Sequence, residues 1–257
     1  MKNTKTKKLL NFLYLSFVFF IALSFNGCSK QKLNANEIVN KAIKTHGGKL
    51  FNSSKISFDF RDEHYTAKRQ NGLFELTREF IDKKGNKIKD ILNNNSFIRL
   101  INNKQADITE KKKNAFSNSV NSVIYFALLP YGLNGNAVHK VLLGEVNVEG
   151  KYYYKIKVSF SQNGGGEDFN DVFIYWINKD NYTMDYLAYL YHVNSGGTRF
   201  RKAVNKRNIN GIIFSDCLNY GNEDVSYNIE NFDKDLEKGN LKLISEINLK
   251  NISVIKL

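Results

Sequence analysis

The chain has 257 residues, of which 42% are hydrophobic and 13% aromatic, and its formal net charge is +13. It contains one Pro and two Cys, which excludes a disulfide-stabilised scaffold, and its aromatic content excludes a disordered chain. We therefore expect long, aromatic-rich strands around a core that holds the protein together without disulfides.

The first 27 residues have the pattern of a secretory signal peptide. Four Lys within the first eight residues form a basic head, and an almost uninterrupted apolar run covers residues 9–25. Cys28 directly follows Gly27, a junction that resembles a lipoprotein box in which Cys28 is lipidated and becomes the mature N-terminus. The alternative, a single transmembrane anchor, has barely enough apolar length and leaves Cys28 unexplained.

Export has consequences for domain organisation and partners. Removing residues 1–27 leaves 230 residues with 34 basic and 25 acidic side chains, a net charge of +9. We expect residues 28–35 to tether a single β-rich domain over residues 36–257. The basic surplus favours an anionic membrane surface, and export excludes nucleic acid as a partner. Ser29 stands where an inner-membrane retention signal would have Asp, so we predict the outer membrane. No acidic cluster follows Cys28 in the sequence, so we predict the periplasmic face.

Two helices are predicted from apolar spacing and from residues that start or stop helices. The first runs from Glu37 to about His46 and is capped by Asn36. The second begins at Lys111 and is ended by Pro130, the single Pro of the chain.

Strands are predicted where apolar residues alternate and turn residues intervene. Those between the two helices lie at 55–60, 63–69, 73–81, 86–92 and 96–101. Those after the second helix lie at 141–148, 152–160, 172–177, 182–193, 198–204 and 211–220, and near 226–232, 241–249 and 252–256. This count predicts a mainly β fold: a large curled antiparallel sheet, an incomplete barrel, with two to three helices on its concave side.

The four strands between residues 172 and 220 form a predicted meander with loops of about four residues. Its predicted cross-strand pairs are Ile177–Tyr182, Val193–Thr198 and Val204–Ile209. Both faces are then apolar, so each is expected to be covered. One face is expected to line an apolar, Tyr-rich interior, and the alternative is a dense core without a cavity.

One predicted face of this meander carries the candidate ligand-binding residues, which are Phe173, Tyr175, Tyr186, His192, Arg199, Arg201 and Phe214. Arg199 and Arg201 are two residues apart and point the same way, with His192 opposite Arg199. Two interpretations stay open. The arginines form an anion clamp at the rim of an apolar pocket, or Asp216 neutralises Arg199 in a structural ion pair.

No catalytic residue, metal site or cofactor is predicted. The four His have no metal-ligand spacing and lie on separate elements, at His46, His64, His139 and His192. Asp185 and Cys217 each face away from His192 in the predicted meander, so neither forms a catalytic pair with it. If Cys28 is lipidated, Cys217 has no disulfide partner, and we interpret it as a packing residue.

Five sequence blocks resemble a family of uncharacterised bacterial lipoproteins known only as a domain of unknown function. They are Leu128–Leu133, Phe160–Gly166, Asp171–Ile177, Tyr182–Tyr189 and Gly196–Arg201. More distantly, the layout is similar to the lipoprotein-carrier fold of LolA and LolB. That resemblance implies an incomplete antiparallel barrel that holds acyl chains beneath a helical lid.

The sequence therefore predicts a non-enzymatic, membrane-anchored periplasmic lipoprotein that binds a lipid, acyl chain or other apolar or amphiphilic ligand. The alternative is an envelope scaffold with a solid core, which binds another protein and no ligand. A continuous apolar cavity of several hundred Å³ favours ligand binding, and a filled core favours the scaffold.

Overall fold

The computed structural model describes residues 32–163, 169–192, 196–222 and 224–257. The predicted signal peptide, residues 1–27, and Cys28 lie outside the described residues. Residues Asn34–Leu257 form one compact unit. Within the described ranges, no helix is both long and apolar enough to cross a membrane.

The described strands form two seven-stranded antiparallel sheets. The first sheet contains β1 (Ser54–Phe60), β2 (Glu63–Gln70), β3 (Leu73–Ile81), β4 (Lys87–Asn93), β5 (Phe97–Ile101), β6 (Lys104–Gln105) and β14 (Leu249–Lys256). The second contains β7 (Val138–Val148), β8 (Lys151–Phe160), β9 (Val172–Asn178), β10 (Met184–Tyr191), β11 (Gly197–Ile209), β12 (Ile212–Asn222) and β13 (Leu243–Ile247).

Both sheets are open. The strand order is β14-β1-β2-β3-β4-β5-β6 in the first and β13-β12-β11-β10-β9-β8-β7 in the second. Almost every neighbouring pair is therefore a hairpin, which is what short turns between consecutive strands produce. The predicted mainly β, antiparallel fold is confirmed, with its strands divided between two sheets.

The first helix, α1 (Ala35–His46), begins with a capping box. The Glu37 backbone N–H donates to Asn34 Oδ1 at 3.0 Å, and the Asn34 N–H donates to Glu37 Oε2 at 2.8 Å. The cap is therefore Asn34, and the prediction of Asn36 is wrong. A capping box needs its acidic residue three positions after the cap, and Glu37 meets that spacing only from Asn34.

A 3₁₀ helix at Gly48–Asn52 follows α1, and two further α-helices lie later in the chain. The second, α2 (Glu110–Ala127), is capped by Thr109 and ends three residues before Pro130. The third, α3 (Phe232–Glu237), follows a short 3₁₀ helix at Ile229–Asn231, so the strand predicted near 226–232 is wrong. The Asn228 side chain accepts from the Glu230 N–H, which starts helical rather than extended backbone.

Cross-strand pairing in the second sheet differs from the predicted register. Met184, rather than Tyr182, pairs with Ile177, because Tyr182 takes a positive φ of 59° in the connecting turn. Leu190, rather than Val193, pairs with Thr198. A bulge between Met184 and Tyr186 then exchanges the two faces of β10, because one extra residue reverses the alternation.

The β11–β12 hairpin also lies elsewhere than predicted. β11 continues through the predicted loop at 205–208, with a bulge between Val204 and Arg207, and the chain turns at Asn210-Gly211. These two residues have φ values of 49° and 95°. Positive φ at both central residues is typical of the tight turn that an Asn-Gly pair forms between strands.

Both faces of the second sheet are covered, as predicted. We call the face that carries Phe173, Tyr175, Leu187, Tyr189, Arg199 and Arg201 the inner face. The α2 residue Phe126 packs on it, with ring centroids 5.3 Å from Tyr189. On the outer face Trp176 and Phe200 are buried, and Phe232 of α3 stacks on Phe200 at 5.4 Å.

Candidate ligand cavity

A cavity of about 370 Å³ lies between the inner face and the C-terminal half of α2. We call it the aromatic cavity. Its lining comprises Phe160, Phe173, Tyr189 and Tyr191 from the second sheet, Tyr125 and Phe126 from α2, and the polar residues Asn121, Ser122, Asp171 and Arg199. Its volume lies at the lower end of the range of small-molecule sites, about 300–1,000 Å³.

The floor of the aromatic cavity is a cluster of packed rings around Phe173. The ring centroid of Phe173 lies 5.5 Å from that of Tyr189, 5.7 Å from Phe160 and 6.1 Å from Tyr175. Ring pairs at these separations attract one another and hold their positions. The floor is therefore built before any ligand enters.

The floor is also uncharged. Tyr175 lies fully buried behind Phe173, and its burial raises the pKa of the phenol well above the ordinary value of 10.0. Burial likewise raises the pKa of Tyr125. Both phenols stay protonated at physiological pH, so this part of the site favours apolar ligand groups.

Arg199 and Arg201 share the inner face, as predicted, but their guanidinium groups lie in different places. Arg199 lines the aromatic cavity, donates from Nη1 to the Thr198 carbonyl at 2.8 Å, and lies 5.1 Å from the Tyr191 ring centroid. Arg201 instead lies 4.2 Å from the Phe126 ring centroid and donates from Nη2 to the Tyr189 hydroxyl at 3.0 Å. The two side chains therefore do not converge on one anion.

Arg201 lines a further cavity of about 200 Å³, which we call the second cavity. Its apolar walls come from both sheets and from α2, at Phe60, Val123, Phe126, Ala127, Ile247 and Leu249, with Ser122, Ser215 and Cys217 completing it. Ser122 and Phe126 line the aromatic cavity as well. The two cavities thus share one wall.

The predicted pairing of Asp216 with Arg199 is wrong. Asp216 Oδ1 accepts from Arg207 Nη2 and from the Leu249 backbone N–H, each at 2.9 Å. In the observed register of β11 and β12, Asp216 pairs with Val204, which lies five residues beyond Arg199 on β11. Asp216 is therefore too far from Arg199 to pair with it. Asp216 therefore joins the second sheet to β14 of the first.

The other predicted ligand-binding residues lie away from the aromatic cavity. Tyr186 stacks on Phe200 of the outer face at 5.7 Å and donates its hydroxyl to Glu149. Phe214 belongs to the hydrophobic core of the first sheet, and His192 is exposed rather than opposite Arg199. Of the predicted set, Phe173 and Arg199 line the aromatic cavity, and their role in binding stays a prediction.

The sequence analysis missed Tyr189, Tyr191 and Phe126 as cavity residues. The observed pairing of Leu190 with Thr198 places Tyr189 opposite Arg199. A sequence prediction that used this pairing would have put Tyr189 in the site. No sequence signal marks Phe126, which lies next to the apolar stripe of α2.

Metal ligands are not assembled in the described part of the chain. No group of three His, Cys, Asp or Glu in that part could hold a metal ion. Burial raises the pKa of the Cys217 thiol to about 11, so the thiolate is scarce at neutral pH. His46 is buried and bonded through Nδ1 to the Ala42 carbonyl at 2.9 Å, and burial lowers its pKa.

The geometry defines a protein of the LolA-type fold with an aromatic cavity under a helix. A LolA superfamily protein from Nitrosomonas europaea superposes with a TM-score of 0.50 at 10% identity, over 88% of this chain and 96% of that chain. A putative outer membrane lipoprotein-sorting protein domain from Vibrio parahaemolyticus gives 0.43 at 7% identity, over 79% and 97%. A DUF1329 family protein from Desulfovibrio piger gives 0.42 at 12% identity, over 86% and 93%.

Sequence comparison assigns the family. The chain belongs to DUF6503, a family of unknown function, whose model matches residues 15–249. No curated protein matches the chain in sequence. Neither the family description nor the shared fold indicates a catalytic activity.

Proposed function

We propose that this protein is a cell-envelope lipoprotein that binds one amphiphilic lipid, with the hydrocarbon chain in the aromatic cavity. The observation that carries the proposal is the cavity itself, about 370 Å³ of space over a packed, uncharged aromatic floor. A concave, largely aromatic space of this volume favours a ligand site over a solid-core scaffold. The LolA-type fold is consistent with this use.

The polar residues of the lining suggest how such a lipid is oriented. Asn121 and Ser122 are exposed on α2, and Arg199 is partly exposed in the same lining. A lipid whose chain lies against Phe173 would place its polar head among these groups. The lining also carries Asp171, so an acidic and a basic side chain both lie near the polar head.

The location is proposed from the sequence. Lipidation of Cys28 would hold the domain near a membrane from which a lipid can be taken up or to which it can be delivered. The mature net charge of +9 would favour contact with anionic headgroups. We propose the periplasmic face of the outer membrane, because Ser29 does not match the inner-membrane retention signal.

Native mass spectrometry of the protein purified from its own envelope tests the proposal. We expect the wild-type protein to carry a co-purified lipid. Ser122→Phe puts a large side chain on an exposed position of α2 at the cavity wall, and should reduce the lipid-bound fraction about fivefold or more by occupying the space. Asn114→Phe is the control, since it adds the same side chain at an exposed position outside the cavity lining.

Two outcomes would contradict the proposal. One is the finding that the wild-type protein carries no lipid and also binds none of the saturated fatty acids that are added to it. The other is equal loss of lipid in Ser122→Phe and Asn114→Phe. Either result would favour the envelope scaffold.

A further inference from the structure

The aromatic cavity and the second cavity adjoin each other along α2. Both are lined by Phe126 and by Ser122, four residues earlier on α2. Ser122 is small and exposed, so the Phe126 ring supplies the bulk of the shared wall. Phe126 itself is only half-buried, as expected for a ring with space on two sides.

The Phe126 ring is held from the inner face. Its centroid lies 5.3 Å from Tyr189 and 6.2 Å from Phe173, both residues of the aromatic cavity. Arg201, which lines the second cavity, lies 4.2 Å from the same centroid. The ring is therefore held by aromatic contacts and by a cation–π contact, all from the inner face.

Arg201 holds the Phe126 ring in one position. Its Nη2 donates to the Tyr189 hydroxyl at 3.0 Å, so one guanidinium contacts both the Phe126 ring and the Tyr189 ring. Its Nε is buried and has no hydrogen-bond partner among the described residues. The guanidinium is thus held mainly by the rings.

We propose that Phe126 divides one chain-binding site in two and thereby sets the length of hydrocarbon chain that the protein selects. This inference rests on the proposed function. A dry cavity of about 150 Å³ holds one benzene, so in proportion the aromatic cavity, about 370 Å³, holds about 15 carbon atoms. The second cavity, about 200 Å³, adds about 8 carbons once Phe126 is removed.

Chain-length selection can be measured in one experiment. The full mature chain carrying Cys28→Ala, so that no anchor is attached, is freed of lipid and mixed with equimolar saturated fatty acids of roughly 8 to 22 carbons. Native mass spectrometry then resolves each bound acid by its mass. We expect binding to peak near about 14 carbons, because longer chains meet the Phe126 wall.

Phe126→Ala should move this peak to about 22 carbons, because the chain can then enter the second cavity, which adds space for about 8 carbons. Every two additional buried methylene groups raise the affinity about tenfold, so the bound fraction of the 22-carbon acid should rise at least that much. Phe126→Leu should give an intermediate profile and serves as the measurement if Phe126→Ala does not fold. Thermal melts report folding for each variant.

Phe116→Ala is the matched control. Phe116 lies on the same helix and also has a guanidinium over its ring, with Arg99 at 3.3 Å, but it lines neither cavity. It should keep the wild-type profile. An unchanged peak in both Phe126 variants, or an equal shift in Phe116→Ala, would overturn the inference while leaving lipid binding intact. Binding of no acid by any variant would instead overturn the proposed function.

Discussion

At the scale of single residues, buried arginines position α2 on the first sheet. Asp90 is fully buried and accepts from Arg78 Nη2 at 2.7 Å and from Arg99 Nε at 2.6 Å. Arg78 also donates from Nη1 to Ser119 of α2 at 2.9 Å, while Arg99 covers Phe116. Charged groups in a core persist only when they are paired in this way. The N-terminal half of α2 is thereby fixed on the first sheet.

Asp216 is the corresponding link between the two sheets, and it gives a prediction for stability. Asp216→Asn should lower the free energy of unfolding by about 1–3 kcal/mol, because it weakens bonds to Arg207 and to the Leu249 N–H around a buried group. Urea unfolding of the single and double variants measures the coupling energy between Asp216 and Arg207. Combination with Arg207→Ala should be non-additive by about 0.5 kcal/mol or more.

Arg199→Ala is the control for that cycle. The changes in unfolding free energy caused by Arg199→Ala and Asp216→Asn should be additive within about 0.5 kcal/mol, since the two side chains are not bonded. Coupling of Asp216 to Arg199 and not to Arg207 would contradict the observed register and support the pairing expected from sequence.

At the scale of elements, tight turns set the hairpins and the hairpins set the faces. Glu149-Gly150 has φ values of 48° and 78° and joins β7 to β8 as the sequence predicts. Asn210-Gly211 also has positive φ at both residues. The sequence predicts the turn at 205–208 instead, because those residues also have the composition of a loop. The turn lies later in the chain, so β11 is long enough to carry Arg199, Arg201 and Arg207 into three different environments.

Gly211 gives a test of this turn. Gly211→Ala should be destabilising for two reasons. A non-Gly residue at its positive φ costs about 1–2 kcal/mol, and a Cβ would lie 2.7 Å from Leu50 Cδ1. Gly85→Ala is the matched control, with a φ of 84° and no atom within 4 Å of the added Cβ.

Thermal or urea unfolding should show a loss of about 1–2 kcal/mol for Gly85→Ala. The loss for Gly211→Ala should be larger by about 1 kcal/mol, because Leu50 must move to relieve the contact. Equal losses in the two variants would mean that the hairpin does not approach Leu50 as closely as described.

At the scale of the whole molecule, two open sheets and α2 leave space that neither sheet fills. The second cavity takes Phe60 and Leu249 from the first sheet and Arg201 and Cys217 from the second. The second cavity therefore lies where the two sheets meet beneath α2.

Attachment to the membrane is the prediction at this scale. Cys28→Ala should release the protein from the membrane fraction into a soluble or unprocessed form, because no acylated residue would anchor it. Fractionation and immunoblotting measure this, with Cys217→Ala as the control that stays membrane-bound. Correctly cleaved Cys28→Ala that remains with the membranes would contradict the lipoprotein interpretation. Protease added to intact cells should leave the wild-type protein whole.

Local patterns alone determined the elements of the first sheet. Its five principal strands, β1 to β5, begin and end within about two residues of the positions predicted from alternation and turn residues. Such patterns depend on neighbouring residues, so they can be read without knowing the fold. The composition likewise predicted a mainly β class, since aromatic residues suit a pleated, covered surface.

The tertiary structure decided which side chains meet. A strand shifted by one residue, or bulged as β10 is after Met184, turns every following side chain to the opposite face. For this reason Tyr189, rather than the predicted Tyr186, lines the cavity. A different register likewise pairs Asp216 with Arg207 rather than with Arg199. The cavities depend further on how α2 crosses the second sheet, which is fixed by Arg78, Arg99 and other contacts far apart in sequence. No local pattern records such long-range contacts.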